Sequence, residues 1–76
     1  MEKLGNINAK RTLKAFLKMG FEVKNQSGTH VIVTGVVNGE KKTFPIPLHH
    51  KEIPIGTIRD ILKQAGITRE EFFEYY

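Results

Sequence analysis

Residues 29–48, THVIVTGVVNGEKKTFPIPL, decide the fold because they predict a β-hairpin. Asn38-Gly39 favours a type I′ turn, which needs a positive φ at both of its central residues. The segment before this turn, 29–37, is rich in β-branched residues, and the segment after it, 41–48, alternates apolar side chains with threonine and proline. Proline cannot donate a hydrogen bond to a neighbouring strand, so we expect the second strand to lie at an edge of the sheet or to pair only through its other side.

A helix and another strand are predicted before the hairpin. The segment 21–26, FEVKNQ, alternates in the same way and connects to the hairpin through a Ser-Gly turn. Further back, apolar residues recur at the i, i+3, i+4 spacing of one helical face: Leu13, Phe16 and Leu17. Asn8 suits the N-cap of this helix and Gly20 the position after its end, so we predict a helix over 9–19.

Two helices are predicted after the hairpin. Apolar residues with helical spacing form a stripe there: Ile58, Ile61, Leu62 and Ala65. Thr57 and Asp60 have the spacing of a capping box, which predicts a helix over 56–65. Thr68 and Glu71 repeat that spacing at the start of a short last helix.

These elements predict a single domain, 1–76, of the α+β class, with the order α-β-β-β-α and a short C-terminal helix. We expect a three-stranded antiparallel sheet with two helices on one face. Because side chains alternate along a strand, one set should face the helices: Val23, Val31, Val33, Phe44, Ile46 and Leu48. Another set should face outward: Lys24, His30, Ile32 and Thr43.

The charge is unevenly distributed along the chain, whose formal net charge is +4. Residues 1–67 contain eleven Lys or Arg and five Asp or Glu, whereas residues 68–76 contain one Arg and three Glu. A basic body therefore precedes an acidic, aromatic end, and we expect the body to contact a polyanion.

The chain contains no cysteine, which excludes disulfides and thiolate metal sites. Its first ten residues, MEKLGNINAK, lack the apolar run of a signal peptide, and no segment is long and apolar enough to span a membrane. We therefore expect a cytoplasmic protein without membrane contact.

The first predicted helix carries charge of one sign only. It contains no acidic residue, and its basic residues share one side: Lys10, Arg11, Lys14 and Lys18. Like charges four residues apart cost about 0.2–0.5 kcal/mol per pair. A solvated surface usually mixes signs, so this one is either an unusual solvated surface or an anion-binding surface, and the sequence leaves both interpretations open.

His30 is an unusual first residue for a strand otherwise made of β-branched side chains. Either it is a tolerated surface residue, or the strand holds an imidazole in place for chemistry. An imidazole in water titrates at a pH of about 6.5, so it can accept or donate a proton near neutral pH.

Four motifs, in this order, resemble the HicA (YcfA-like) toxins of HicA–HicB toxin–antitoxin systems. They are Gly20-Phe21, Gly28-Thr29-His30, Pro47-Leu48-His49 and the block Gly56–Gly66, GTIRDILKQAG. The likeness extends over about residues 11–73, which is nearly the whole chain. No motif is diagnostic alone, but their order and spacing together are specific.

The resemblance implies a fold similar to the double-stranded-RNA-binding domain and metal-independent cleavage of RNA, with His30 as the catalytic residue. It also implies that the protein halts translation by cutting mRNA until a HicB-like antitoxin binds and covers the site. Two positions depart from the usual family pattern. Thr29 replaces the common serine, which keeps a hydroxyl on a bulkier side chain, and the residues after His30, Val31-Ile32-Val33, are wholly aliphatic.

Cleavage of RNA through its own 2′-OH needs a base for that hydroxyl and an acid for the leaving 5′-oxygen. The candidate for the second proton-transfer group is His49, or His50 in its place. Lys24 and Lys51 are candidate cations that could stabilise the charge of the phosphorane. Thr29 is a further supporting candidate.

The candidate RNA-binding residues are Lys10, Arg11, Lys14, Lys18, Gly28 and Thr57. Thr57 is placed at a helix N-terminus, where free N–H groups suit a phosphate, although plain capping is the simpler interpretation. We expect no metal, because His49 and His50 should point to opposite sides of an extended segment, and no small-molecule cofactor.

Two other functions stay open from the sequence alone. A non-catalytic RNA-binding module of the same fold would use the same basic helix. A pure interaction protein would present that helix to an acidic partner. Only His30 favours the enzyme over the binding module.

Overall fold

A three-stranded antiparallel sheet packs one face against helices in the computed structural model, which describes residues 5–76. The elements follow one another as β1 Ile7–Asn8, α1 Ala9–Lys18, β2 Glu22–Ser27, β3 His30–Val37, β4 Glu40–Pro47, β5 Glu52–Ile53, α2 Ile55–Ala65 and α3 Arg69–Tyr75. The predicted α+β class is confirmed, and the arrangement is consistent with that of a double-stranded-RNA-binding domain. The longest helix described has 11 residues, and none between residues 5 and 76 has the length and apolar character needed to cross a membrane.

The hairpin of β3 and β4 forms as predicted. Both central residues of its turn have a positive φ, 53° and 80°. The two strands pair without interruption from Val37 and Glu40 at the turn to His30 and Pro47 at the far end. The sheet order is β2-β3-β4, so the proline-containing strand β4 lies at an edge.

A second, two-stranded sheet joins β1 to β5 and is not among the predicted elements. Ile7 pairs with Ile53, and both are buried. Next to this pair, the Ala9 N–H donates to the Lys51 carbonyl at 2.9 Å. Strands of two residues show no period in the sequence, yet this pairing holds the segment after β4 against the start of α1.

The predicted starts of α1 and α3 are confirmed. Asn8 caps α1, and its Oδ1 accepts the Arg11 N–H at 2.9 Å. Thr68 and Glu71 form a complete capping box at the start of α3, with hydrogen bonds of 3.1 and 3.0 Å.

The capping box predicted at Thr57 and Asp60 is wrong. The helix α2 begins at Ile55, two residues before Thr57, and its N-cap is Pro54, which makes no side-chain cap hydrogen bond. The φ of Pro54 is −57°, and proline has no N–H to satisfy, so it is compatible with the start of a helix. Thr57 therefore lies within the first helical turn. The helix ends at Gly66, which has a φ of 73°.

Phe16 of α1 lies at the centre of the core and has no exposed surface. Its ring centroid is 5.3 Å from that of Phe21, 5.1 Å from that of Phe44 and 6.0 Å from that of Phe72. Aromatic pairs attract each other at such distances. Rings from the segment before β2, from β4 and from α3 therefore meet at one side chain.

The strand β2 is the least covered part of the sheet. Val23 pairs with Val33 and so lies on the expected face, but it is 50% exposed. All six residues of β2 are exposed, because the core lies over β3 and β4. A bulge between Val23 and Asn25 also interrupts the pairing of β2 with β3.

Gly35→Ala is expected to destabilise the protein. The Phe21 ring packs directly on Gly35, and an added Cβ would lie 2.7 Å from Phe21 Cδ2, which is closer than real Cβ contacts. Overpacking of this kind costs about 1–3 kcal/mol. Urea unfolding followed by circular dichroism measures the change in the free energy of unfolding.

Gly56→Ala is the matched control, because nothing lies within 4 Å of its added Cβ. Gly56 belongs to α2, and alanine favours the helix over glycine by up to about 1 kcal/mol. This variant should therefore be as stable as the wild type or more stable. An equal loss in both variants, or no loss in Gly35→Ala, would contradict the packing of Phe21 on β3.

Candidate active site

His30 is the first residue of β3 and is exposed. Side chains alternate between the two faces of a strand, and the next residue, Val31, is buried against the helices. His30 therefore lies on the opposite face, as predicted. It pairs with Ser27 of β2 on one side and with Pro47 of β4 on the other.

His49 lies beside His30. The hydrogen bonding continues one step beyond the His30–Pro47 pair, because the Leu48 N–H donates to the Thr29 carbonyl at 2.7 Å. His49 follows directly, where the chain bends. The two ring centroids are 5.8 Å apart, with 32° between the ring planes. The structure thus brings the predicted catalytic histidine together with its predicted partner.

His50 adds a third imidazole, whose ring centroid is 4.3 Å from that of His49. The expectation that His49 and His50 point to opposite sides is wrong, because the chain bends at these residues and is not extended. Across the described range, no three His, Asp or Glu side chains are arranged to hold a metal ion.

A cavity of about 380 Å³ lies next to the histidines. Its lining comes from the start of α1 and from the segment after β4: Asn8, Lys10, Leu48, His49, His50 and Lys51. The pairing of β1 with β5 brings these two segments together. Lys10 and Lys51, which were predicted for different roles, therefore share one cavity.

The cavity is positively charged. Its lining includes two lysines and two histidines, and no Asp or Glu among the residues that the structure describes. Within that part of the chain, neither Lys10 nor Lys51 forms a salt bridge, whereas Lys42 pairs with Glu40 on the hairpin at 3.1 Å. An anion that enters the cavity comes close to two lysines and two histidines.

The basic residues of α1 divide into separate groups. Lys14 and Lys18 are exposed, and Lys10 lines the cavity. Arg11 instead contacts Tyr76: its guanidinium carbon lies 4.0 Å from the ring centroid, and its Nη2 donates to the Tyr76 backbone oxygen at 2.7 Å. Arg11 therefore holds the segment after α3 against α1, a contact that the sequence did not indicate.

Gly28 and Thr29 form the turn between β2 and β3. Gly28 has a φ of 60°, a conformation that glycine adopts without steric cost. Thr29 is exposed, and its carbonyl accepts the Leu48 N–H. The turn thus positions His30 and His49 relative to each other.

Lys24 and Thr57 lie outside the lining of the cavity. Lys24 is at the bulge of β2, three residues before Ser27, which is the residue of β2 that pairs with His30. Thr57 is half-buried in the first turn of α2. The structure does not bring either residue to the pair of His30 and His49.

One pattern in the sequence could have revealed the contact between His30 and His49. A two-residue turn at Asn38-Gly39 pairs the residues on either side of it, and counting outward puts Pro47 opposite His30. His49 then lies two residues beyond Pro47, within reach of His30. The cavity has no such signal, because it depends on the pairing of two-residue strands far apart in the chain.

Comparison with known proteins identifies a family. The family model described as HicA toxin of bacterial toxin-antitoxin matches residues 9–67, which is well over half of the 76-residue chain. The matched segment includes His30, His49 and both lysines of the cavity. No curated protein and no solved structure shows significant similarity to the chain. By its match to the family model, the chain belongs to the HicA family of toxins of bacterial toxin–antitoxin systems.

Proposed function

We propose that the protein is a metal-independent endoribonuclease that cleaves mRNA, with His30 as its catalytic residue. The observation that carries the proposal is the pair of His30 and His49, with ring centroids 5.8 Å apart, beside a cavity lined by Lys10 and Lys51. Membership in a family of toxins supports it, because a protein that cuts mRNA stops translation.

Two imidazoles suit the reaction that RNA undergoes through its own 2′-OH. The 2′-oxygen forms a bond to phosphorus while the bond from phosphorus to the 5′-oxygen breaks, which leaves a cyclic phosphate and a 5′-hydroxyl. One imidazole accepts the proton of the 2′-OH, and the other donates a proton to the 5′-oxygen. Protons, bonds and charges balance without a metal or a cofactor.

His49 is the preferred partner of His30, because the His49 ring contacts the His30 ring. The His50 ring packs on the His49 ring instead. A cation near the phosphorane would stabilise its charge. Of the two candidate cations, Lys51 lines the cavity with His49 and Lys24 does not. The Thr29 hydroxyl, one residue before His30, is a further proposed contact to the phosphate.

The RNA strand is proposed to bind through its phosphates. Lys14 and Lys18, exposed on α1, and Lys10 at the cavity form the main contacts. Weaker contacts are proposed for the backbone at Gly28, for the first turn of α2 at Thr57, and for the guanidinium of Arg11, which also contacts Tyr76.

We infer that the antitoxin partner is a HicB-like protein that covers His30. The imidazole is exposed on the face of the sheet opposite the helices, so a protein bound to that face would keep RNA away from it. The proposed place of action is the cytoplasm, where mRNA is translated.

A non-catalytic RNA-binding module is the second candidate function. The exposed pair of Lys14 and Lys18 supports it as well as it supports the enzyme, because these residues would bind phosphates whether or not the RNA is cut. Cleavage by the purified protein decides between the two.

His30→Ala is expected to remove most of the cleavage and to keep the fold. The side chain is exposed, so its loss leaves the core intact. Loss of one general acid or base lowers the rate by about 10²–10⁴-fold. The rate is measured on a labelled RNA, the fold by circular dichroism, and RNA affinity by filter binding, which should persist.

His50→Ala is the matched control, because it removes an imidazole that packs on His49 and not on His30. Its loss of cleavage should be smaller. Unchanged cleavage by His30→Ala would move the catalytic residue elsewhere, first to His49. If well-folded wild type cuts none of several RNAs, the protein is a binding module.

Lys14→Glu combined with Lys18→Glu is expected to weaken RNA binding and to reduce its salt dependence. Each lost phosphate contact should flatten the slope of log affinity against log salt by roughly 0.7–0.9. The measurement is a titration of RNA at several salt concentrations.

Lys63→Glu combined with Arg69→Glu makes the same change of net charge at exposed positions outside α1. This control should change the slope less. If the α1 variant keeps both the affinity and the slope of the wild type, its lysines are not part of the RNA site.

A further inference from the structure

We propose that the cavity beside His49 binds a second phosphate of the RNA, adjacent to the phosphate that is cleaved, with Lys10 and Lys51 as its ligands. The inference rests on the proposed function. It defines the substrate class further, as an RNA strand that carries a charged phosphate next to the cleaved linkage.

The composition of the lining is that of an anion site. Lys10, Lys51, His49 and His50 border a volume of about 380 Å³, and no described carboxylate shares it. Lysine binds phosphate as a compact point charge. The volume is within the range of about 300–1,000 Å³ that small-ligand sites occupy, so a phosphate and part of its sugar fit.

The backbone holds the two lysines together. Ala9, the residue before Lys10, donates its N–H to the Lys51 carbonyl at 2.9 Å, and Asn8 pairs with Glu52. The backbones of both lysines are therefore fixed relative to each other before any ligand binds. An anion bound between them therefore orders two side chains but no backbone, which lowers the entropy cost of binding.

His49 connects this cavity to the catalytic pair. Its ring contacts His30 and also lines the cavity. When the scissile phosphate lies against the exposed edges of His30 and His49, the neighbouring phosphate of the strand reaches the cavity that His49 also lines. A phosphate bound there fixes the strand without touching the reacting atoms, so Lys10 and Lys51 act as positioning residues.

This role has a kinetic signature. A contact to a phosphate that does not react is the same in the ground state and in the transition state, so its loss raises KM and changes kcat little. If Lys51 instead stabilised the charge of the phosphorane, its loss would lower kcat. The two roles of Lys51 are therefore distinguishable.

Neutralisation of single phosphates tests the inference. Short RNAs carry one uncharged methylphosphonate linkage directly before or directly after the cleaved linkage, and kcat and KM are measured for the wild type and for Lys10→Gln combined with Lys51→Gln. In the wild type, one of these two positions should raise KM by about 5- to 10-fold, the worth of one or two exposed charge pairs. The double variant should show no such penalty, because it no longer recognises that charge.

Lys14→Gln combined with Lys18→Gln is the matched control. It removes the same number of charges at two positions of α1 that lie outside the cavity lining, so it should keep the methylphosphonate penalty of the wild type. Equal penalties in all three proteins would overturn the proposal. A lower kcat with unchanged KM in the cavity variant would also overturn it.

The same RNAs with deoxyribose at the cleavage site separate this inference from the proposed function. These strands cannot be cut, so equilibrium binding reports on the cavity even if the wild type has no nuclease activity. Coupling between the lysines and the neighbouring phosphate in these strands, together with no cleavage of the matching all-ribose RNAs, supports the phosphate site and overturns the enzyme. Cleavage of the all-ribose RNAs without this coupling supports the enzyme and overturns the phosphate site. A cavity variant that binds RNA normally but binds a protein partner more weakly also overturns the phosphate site.

Discussion

The burial of the Phe16 ring is the constraint on which the rest of the structure depends. Three other phenylalanine rings contact it, and they come from different parts of the chain: Phe21, Phe44 and Phe72. A chain of this length buries only about 60% of the surface that it exposes when unfolded, so one side chain shared by the sheet and two helices sets much of the geometry. Because Phe16 anchors α1 to β4, it also fixes the other end of that helix, where Lys10 meets the segment after β4. Core and candidate site are therefore connected through one helix.

The parts of the fold that were predictable depend on neighbouring residues. The turn at Asn38-Gly39 and the capping box at Thr68 and Glu71 are local signals, and both form. The start of α2 was placed too late, because a serine- or threonine-based cap was expected and the chain uses Pro54 instead. The pairing of β1 with β5 is not local, and two residues are too few to show a period.

In the candidate site, too, the features set by neighbouring residues were predictable and those set by tertiary packing were not. The sequence predicted the face on which His30 lies, since alternation along a strand needs only its neighbours. The contact with His49 follows from the register of a two-residue hairpin. By contrast, the bend that turns His50 towards His49, and the contact of Arg11 with Tyr76, arise from tertiary packing. Such contacts override what residue type and spacing alone would suggest.

Both edges of the main sheet are interrupted, and this affects how copies of the chain behave at high concentration. An edge strand with a continuous row of free N–H and C=O groups is a template for another strand. Pro45 and Pro47 lack N–H groups, and because β4 pairs with β3 along its whole length, the missing donors lie on the outer side. The other edge has the bulge between Val23 and Asn25, and bulges increase the local twist of a strand. A sheet that leaves one face uncovered is thereby protected from lateral association into fibrous assemblies.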